Sequence, residues 1–265
     1  MVKDFSFKQS YNFYDLVEIM KLLRSEDGCP WDKEQTHHSI KKNFIEETYE
    51  VIEAINKEDN DLLKEELGDV LLQVVFHAQM ETEQGNFDID NVANDICKKL
   101  IERHPHIFGN VIANNTETVL SNWDEIKLKS KGQKSQSDSM LSVPIELPAL
   151  MRSTKVQEKA AKVGFDWKNI DGALDKLSEE IDELKEAIES KDDASCFEEL
   201  GDVLFSAANV SRFLSCDAEE ALTSATDKFI RRFTIVEKLA KDRNVDIKSS
   251  SMNVLDELWD EAKLI

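Results

Sequence analysis

Apolar side chains recur every three or four residues in two parts of the chain, which is the period of a helix that buries one face. The clearest stripe consists of Leu174, Leu177, Ile181, Leu184 and Ile188. A weaker stripe in the first half consists of Phe44, Thr48, Val51 and Ile55. Both stripes predict an amphipathic helix whose apolar side is the seam of a helical bundle.

A second apolar helix follows each stripe after a short polar stretch, residues 56–61 in the first half and 190–195 in the second. A short connection between two amphipathic helices predicts an antiparallel helical hairpin. Gly and Pro are also scarce, at 8 and 4 of 265 residues, which suits helices with short loops. The predicted fold class is therefore all-α.

The two predicted hairpins carry one acidic pattern. In the first half the acids are Glu46, Glu47, Glu50, Glu66 and Asp69, and in the second they are Glu179, Glu180, Glu183, Glu199 and Asp202. The step from Glu47 to Glu66 is 19 residues, the second copy repeats it, and the copies lie 133 residues apart. Like charges at i, i+3 and i, i+4 on a helix repel each other. A duplicated pattern of this kind predicts that the carboxylates hold a cation.

The duplication predicts two domains, 1–130 and 148–265, joined by a linker at 131–147. Residues 129–139 have no helical period and are rich in Ser, Lys and Gln. Pro144 and Pro148 follow, and proline restricts helix at those positions.

Basic and aromatic residues extend the repeat beyond the acids. The first half has Lys99, Arg103, Trp123 and Lys127, and the second has Lys228, Arg232, Trp259 and Lys263. Each Lys–Arg and Trp–Lys pair is spaced i, i+4 and so shares a helical face. The tryptophans either stack on a nucleobase or fill the core.

Carboxylates from two facing helices, with no His or Cys among them, suit Mg²⁺ or, as a substitute, Mn²⁺. Such an ion keeps positions open for phosphate oxygens, and downstream Lys and Arg supply donors for the remaining phosphate charge. Together the parts predict metal-assisted cleavage of a polyphosphate with water as the nucleophile.

The net charge of −21 argues against a protein that binds nucleic-acid backbones or an anionic membrane. The four cysteines, Cys29, Cys97, Cys196 and Cys216, are scattered, which fits inert thiols in a reducing compartment. The amino terminus has no apolar signal segment, and no run reaches the length of a membrane span. We therefore expect a cytoplasmic protein.

Two other functions compete with a hydrolase. A di-iron carboxylate bundle, an oxidoreductase or iron store, needs Glu-x-x-His pairs on the acid-bearing helices, and neither acidic pattern has His at that position. A non-catalytic helical regulator would use the acids only to solubilise its surface or to bind a metal or nucleotide. A transition-metal site at His37–His38 or at His104 and His106 lacks a second ligand pair at zinc spacing.

The sequence resembles the all-α nucleoside triphosphate pyrophosphohydrolases and, among them, the two-domain MazG type. The runs that carry the resemblance are GCPWDKEQTH (28–37), EETYE (46–50), EELGD (65–69), RHPHIF (103–108), KVGFDW (162–167), EELGD (198–202) and KFIRRF (228–233). The acidic pattern alone is typical of the superfamily, and the flanking runs indicate the two-domain type over nearly the whole chain.

The resemblance implies tandem MazG-like helical domains that form four-helix active sites in a homodimer. It implies Mg²⁺-dependent hydrolysis of nucleoside triphosphates between the α and β phosphates, giving a nucleoside monophosphate and pyrophosphate. It further implies broad tolerance of bases and sugars and a role in controlling or cleansing nucleotide pools.

The resemblance also assigns roles, with most of the activity in the second half. Glu180, Glu183, Glu199 and Asp202 are implied to hold the metal, Glu179 or Glu198 to orient or deprotonate water, Lys176, Lys228 and Arg232 to bind phosphates, and Trp259 and Lys263 to approach the nucleotide. In the first half, Glu47, Glu50, Glu66 and Asp69 are the matching metal site, with Glu46, Lys99, Arg103, Trp123 and Lys127 as accessory residues. The first half departs at one position, because Asn43 stands where the second half has Lys176. We therefore expect the first half to bind metal but to turn over weakly, or to be regulatory or structural.

Overall fold

The computed structural model describes residues 5–111, 115, 119, 123, 126 and 135–265. Within these ranges all regular elements are helices and no strand occurs, which confirms the predicted all-α class. None of these helices has both the length and the apolar character that a membrane crossing requires. The chain divides into two compact units, Met1–Lys127 and Leu128–Ile265, which we call the first and second units.

The described part of the first unit contains α1 (Phe13–Arg24), α2 (Pro30–Glu34), α3 (Lys41–Asn56), α4 (Asn60–Gln84), α5 (Ile89–Arg103) and α6 (Pro105–Phe108). Its buried core consists of Met20, Ile40, Val75, Phe76 and Met80, contributed by α1, the start of α3 and the second half of α4. Helix α4 is therefore the central element of this unit, and α3 packs along it as the other arm of a hairpin.

The described part of the second unit contains α7 (Gln136–Leu141), α8 (Ala149–Ala161), α9 (Ile170–Ser190), α10 (Asp193–Phe213), α11 (Ala218–Asp242) and α12 (Met252–Ala262). Helices α9 and α10 form the hairpin that corresponds to α3 and α4. A separate cluster of Val236, Ala240, Leu258 and Ala262 joins α11 to α12.

Both hairpins turn in the same way. Glu58 and Lys191 adopt the left-handed conformation, with φ of 55° and 57°. The N–H groups of Glu58 and Asp59 donate to the carbonyls of Ile55 and Ala54, which is a Schellman motif, and the equivalent bonds close α9. The side chains of Asp59 and Asp192 then cap the following helices. This shared turn sets the register between the two arms of each hairpin.

The packing of α9 differs from the prediction. Ala173, Glu180 and Ala187 are the buried residues of this helix, at 1%, 5% and 7% exposure, whereas Leu174 and Ile188 of the predicted apolar stripe are 45% and 58% exposed. Small alanine side chains let α9 approach α10 closely, so the buried face follows the alanines and not the larger residues. The apolar stripe therefore borders the buried face, with Leu177 and Leu184 half-buried.

Helix α3 repeats this arrangement. Ile40 and Ala54, which correspond to Ala173 and Ala187, are buried at 2% and 0%, and Glu47 between them is half-buried. Ile45 and Ile52 on the other side are 51% and 44% exposed. In each hairpin an acid therefore lies between two small or apolar residues on the buried face.

Part of the predicted linker is structured. Within 131–147, residues 131–134 lie outside the described residues, but Gln136–Leu141 form α7. Ser135 and Asp138 form a capping box, in which each side chain accepts a hydrogen bond from the backbone N–H of the other. The Lys159 ammonium also donates to the Ser139 hydroxyl at 2.6 Å, which helps to hold α7 on α8.

Candidate metal centres

Carboxylates from the two arms of the second hairpin converge on one point. Glu180 of α9 and Glu199 and Asp202 of α10 each offer an oxygen, and these oxygens all lie within 4.8 Å of one another. Glu180 is buried, Glu199 is half-buried and Asp202 is exposed. The cluster is thus closed on the helical side and open to a ligand on the other, which is the arrangement that a hard cation with some free positions requires.

The first hairpin has the same cluster. Glu47 of α3 and Glu66 and Asp69 of α4 also bring one oxygen each to within 4.8 Å of the others. The duplicated spacing of 19 residues therefore places equivalent carboxylates together in both units.

The fourth predicted ligand of each set, Glu50 or Glu183, lies beside this group and not within it. Hydrogen bonding to Glu180 raises the pKa of Glu183, and burial and the Glu180 charge act in the same direction. Glu50 raises the pKa of Glu47 through hydrogen bonding and charge, although reduced hydration of Glu47 is the largest cause. Glu50 and Glu183 therefore each interact with a member of the cluster.

The glutamates that α4 and α10 contribute to the clusters also have raised pKa values. Reduced hydration raises the pKa of Glu66, and the charges of Glu50 and Asp69 raise it further. Reduced hydration likewise raises the pKa of Glu199, with the Asp202 and Glu180 charges next in importance. Carboxylates held together against their own charge fit a divalent cation, which removes that repulsion.

Lys176 distinguishes the second cluster from the first. Its ammonium lies 2.8 Å from an oxygen of Glu179 and 2.8 Å from an oxygen of Glu180. These two acids hold the pKa of Lys176 above its usual range, so the ammonium stays charged. It also lowers the pKa values of Glu183 and Glu199 against the effect of the neighbouring acids. The second centre therefore contains a fixed positive charge at its edge.

The remaining acids of the predicted set are exposed. Glu179 is engaged by Lys176, whereas Glu198 and Glu46 have no ion pair in the part of the chain that the structure describes. Glu198 stands next to Glu199 on α10.

The downstream residues of the second unit do not contact the acids in this structure. Lys228 is exposed and Arg232 is half-buried, and neither has an ion pair among the described residues. Trp259 packs against the α11–α12 core with its ring 5.1 Å from that of Phe229. Lys263 pairs with Asp260 at 2.7 Å. Lys228 and Arg232 lie on α11, Trp259 lies on α12, and Lys263 follows α12 directly.

The accessory residues of the first unit form one pair. The Arg103 guanidinium lies over the Trp123 ring, 5.5 Å from its centre, and the His104 ring meets the same tryptophan edge-on at 5.1 Å. Lys99 is exposed. Lys127 lies outside the described residues.

Buried arginines, which the sequence analysis missed, fix the segments that lead into the two hairpins. Arg24 binds both carboxylate oxygens of Glu83 at 2.8 Å and donates to the backbone carbonyls of Asp32 and Gln35. In the second unit, Arg212 binds Asp166 at 2.8 Å. Their partners lie 46 or 59 residues away in the sequence, so no local pattern marks them.

Comparison with known proteins gives a consistent result. The chain matches the MazG nucleotide pyrophosphohydrolase domain over residues 35–108 and again over 169–236, so each match contains one acidic cluster. It is 47% identical to the Nucleoside triphosphate pyrophosphohydrolase/pyrophosphatase MazG of Thermotoga maritima, over 95% of both chains. It is 45% identical to the Nucleoside triphosphate pyrophosphohydrolase of Escherichia coli, over 94% of this chain and 95% of that one. It is also 46% identical to the uncharacterized protein YabN of Bacillus subtilis, over 96% of this chain and 52% of that one.

Proposed function

Because this chain belongs to the MazG nucleotide pyrophosphohydrolase family, it is a nucleoside triphosphate pyrophosphohydrolase, and we propose that the second hairpin is its main active site. The reaction is hydrolysis between the α and β phosphates, which yields a nucleoside monophosphate and pyrophosphate. The observation that carries this assignment is the ion pair between Lys176 and the buried Glu180 at the edge of the acidic cluster. A cation and an acid cluster side by side suit a ligand that is itself a metal–phosphate complex.

Glu180, Glu199 and Asp202 are the residues that would hold Mg²⁺, with Mn²⁺ as a substitute and Glu183 as a fourth ligand. Their chemistry fits, because all are carboxylates and no His or Cys oriented for a softer metal joins them among the described residues. Bound there, Mg²⁺ would polarise a phosphate oxygen and offset the negative charge of the triphosphate.

Lys176 binds and orients a phosphate in this proposal. In the structure its ammonium pairs with Glu179 and Glu180, and Glu180 becomes less available to it once a cation occupies the cluster. The ammonium is then free to donate to a phosphate oxygen. Release of Lys176 also frees Glu179, which together with Glu198 is a candidate to accept the proton of the attacking water.

Lys228 and Arg232 are proposed to contact the remaining phosphates, with Trp259 and Lys263 nearer the nucleoside. Support comes from their lack of competing partners, since neither Lys228 nor Arg232 forms an ion pair among the described residues. Contacts restricted to phosphates and to a ring face discriminate poorly between bases. We therefore propose broad use of ribo- and deoxyribonucleoside triphosphates and a role in nucleotide-pool control.

A homodimer is proposed from the apolar sides that the hairpins leave uncovered. On α9, Leu174, Ile181 and Ile188 are 45%, 39% and 58% exposed, and Leu200 and Leu204 of α10 are 49% and 52% exposed. These residues border the acid-bearing helices, so a second copy that covers them completes a four-helix arrangement around each centre.

The first hairpin is proposed to bind a metal ion but to turn over substrate weakly or act as a regulatory or structural site. Its three oxygens cluster as closely as those of the second hairpin, but Asn43 replaces the lysine. Without that charge a cation can still bind, but a triphosphate would make one contact fewer.

The product analysis tests the reaction. The full-length protein with ATP and Mg²⁺ should release AMP and pyrophosphate. ³¹P NMR in ¹⁸O-labelled water identifies these products and also reports whether the oxygen of water enters AMP or pyrophosphate. ADP and orthophosphate as products would overturn the assignment. A Glu186→Gln variant, which changes an exposed acid of α9 outside the cluster, serves as the control and should retain full activity.

A further inference from the structure

Two histidines and a glutamate form a continuous chain of hydrogen bonds in the first unit, away from the acidic cluster. The Nδ1 atoms of His37 and His77 lie 2.7 Å apart, and the Nε2 atom of His37 lies 2.6 Å from a Glu81 oxygen. The two imidazole rings are nearly parallel, with an angle of 4° between their planes. His37 belongs to the segment that precedes α3, and the other two residues belong to α4, so the chain ties that segment to α4.

The short distance between the two Nδ1 atoms limits the number of protons that the chain can carry. When both rings are neutral, His37 donates to Glu81 and accepts from His77. When His37 is protonated, it donates to both partners, and His77 accepts. When both rings are protonated, two N–H groups face each other at a distance where neither can accept, and two positive charges adjoin. The geometry therefore tolerates one excess proton but not two.

The surroundings favour these states. Burial lowers the pKa of His77, and the charge of His37 lowers it further. Asn86, from the connection to α5, donates to the second oxygen of Glu81 and, with His37, lowers its pKa, so this group stays an acceptor. From α3 the aromatic ring of Phe44 contacts His77.

Other charged groups near this chain are engaged elsewhere or exposed. Arg24 of α1 is bound to Glu83 on α4, and Lys41 and Lys42 in the first turn of α3 are exposed and have no ion pair among the described residues. Glu81 is thus the charged partner that balances the first proton, and no second acid contacts His77 in the described part of this unit.

The second unit lacks this chain of hydrogen bonds. The residues 133 positions after His37, His77 and Glu81 are Ile170, Val210 and Leu214, all of them aliphatic. Ile170 is already the first residue of α9, and Leu214 is 58% exposed, so the polar set and the segment that it holds belong to the first unit.

We propose that His37, His77 and Glu81 form an acid-sensitive latch, which holds residues 35–40 against α4 while the chain carries at most one excess proton and releases them when it takes up a second. Residues 35–40 lead directly into α3, so the latch couples the position of this acid-bearing helix to pH. Near neutral pH the latch is closed, and acidification opens it in the first unit alone.

Histidine-selective ¹⁵N NMR on the full-length protein tests the proton count. Two coupled titrations are expected, and His77 should take up its proton below the usual pH range of a histidine, because burial and the charge of His37 lower its pKa. If His77 titrates in the usual range, the latch is wrong. If one equivalent of Zn²⁺ at pH 7.5 shifts both Nδ1 signals together, the pair is a metal site and the latch is again wrong.

Hydrogen exchange of the same protein tests the release. Between pH 7.5 and pH 5.5, after correction for intrinsic rates, amides in 35–40 should lose protection by about tenfold or more, because release of the latch opens this segment to solvent. His77→Val, which introduces the residue found at position 210, should remove this pH dependence, and His38→Val should keep it. If the protection of 35–40 in the wild type does not change with pH, the proposal is wrong. This outcome does not depend on whether the His77 variant folds.

Discussion

The two hairpins share their acidic frame and differ one helical turn before it, where the second has Lys176 and the first has Asn43. We propose that this difference separates metal binding from substrate binding. Both place three carboxylate oxygens within 4.8 Å of one another, around the same turn and between equivalent buried positions. In the second hairpin Lys176 lies 2.8 Å from Glu180, whereas Asn43 stands at that place in the first. An acidic frame alone attracts a cation, but an acidic frame with a lysine also accommodates the anion that the cation brings.

The electrostatic consequences differ accordingly. In the first cluster only neighbouring acids act on Glu47 and Glu66 besides reduced hydration, and all of these effects raise the pKa. In the second, Lys176 opposes the rise for Glu183 and Glu199. The first centre is therefore less balanced without a metal, and the experiments below test this contrast from the largest effect to the smallest.

Equivalent ligand substitutions should have unequal effects on turnover. We expect Glu199→Gln in the second hairpin to lower kcat/KM for MgATP by at least about 100-fold, since even indirect partners of metal ligands commonly contribute 10–100-fold. Glu66→Gln, the same change in the first hairpin, should stay within about twofold of the wild type, the level that structural perturbation alone produces. Steady-state release of pyrophosphate measures both. Equal losses would show that the two centres share the work.

The buried arginines should make unequal contributions to stability. Arg24→Met is expected to lower the free energy of unfolding by about 2–4 kcal/mol, because it leaves Glu83 and two carbonyls without their donor. Arg212→Met, which leaves Asp166 and the side-chain oxygen of the buried Asn209 without this donor, should lower it by about 1–3 kcal/mol. Urea denaturation of the metal-free protein provides the values. Arg243→Met is the control, since its partly exposed pair with Glu261 should be worth under about 0.5 kcal/mol.

Exchanging the residues at the distinguishing position tests the contrast directly. Lys176→Asn should lower kcat/KM about 10–100-fold, the range that one hydrogen bond to a charged group supplies. Asn43→Lys, placed in a Glu199→Gln background, should raise the residual turnover of the first hairpin. Kinetics at saturating Mg²⁺ isolate the effect from metal affinity. If Asn43→Lys changes nothing, another residue separates the two centres.

Removing one acid from each metal-free cluster should change thermal stability in opposite directions. Glu47→Gln relieves repulsion and should raise the melting temperature by about 1–2 °C, whereas Glu180→Gln removes a partner of Lys176 and should lower it by about 2–4 °C. Calorimetry with a chelator at fixed protein concentration measures both. A common sign would mean that Lys176 does not compensate the second cluster.

The rise in melting temperature that Glu47→Gln produces should also depend on pH. Because folding raises the pKa of Glu47, the folded state binds more protons than the unfolded state, and stability falls as pH rises through the folded-state pKa. The gain from Glu47→Gln should therefore be small near about pH 4 and complete near about pH 7. A gain that is constant over this range would contradict the assignment of repulsion to Glu47.

The hairpins and their acids could be predicted from the sequence because the signals are local. Glu180, the capping acid Asp192 and Glu199 all lie within two consecutive helices. The helical period then determines on which side of each helix the acids lie. Helix α7 also had a local signal, the Ser135–Asp138 capping box, which the irregular composition of the surrounding segment outweighed in the prediction.

Contacts between distant parts of the chain could not be predicted in this way. His37 and His77 are 40 residues apart, and Arg24 and Glu83 are 59 apart, so tertiary packing alone brings them together. The face of α9 that packs on α10 could not be predicted for a related reason. A leucine stripe marks an apolar surface but not the neighbour that covers it, and the alanines beside Glu180 decided the contact with α10.

The left-handed residues at the two hairpin turns, Glu58 and Lys191, carry a consequence for length variation. The hydrogen bonds of these turns fix the register of the two arms, so one residue inserted at either turn would break those bonds and shift one arm against the other. Glu199 and Asp202 would then point away from Glu180, although every side chain remained. A point substitution changes one charge of a centre, whereas an insertion or deletion at either turn would separate all of its carboxylates.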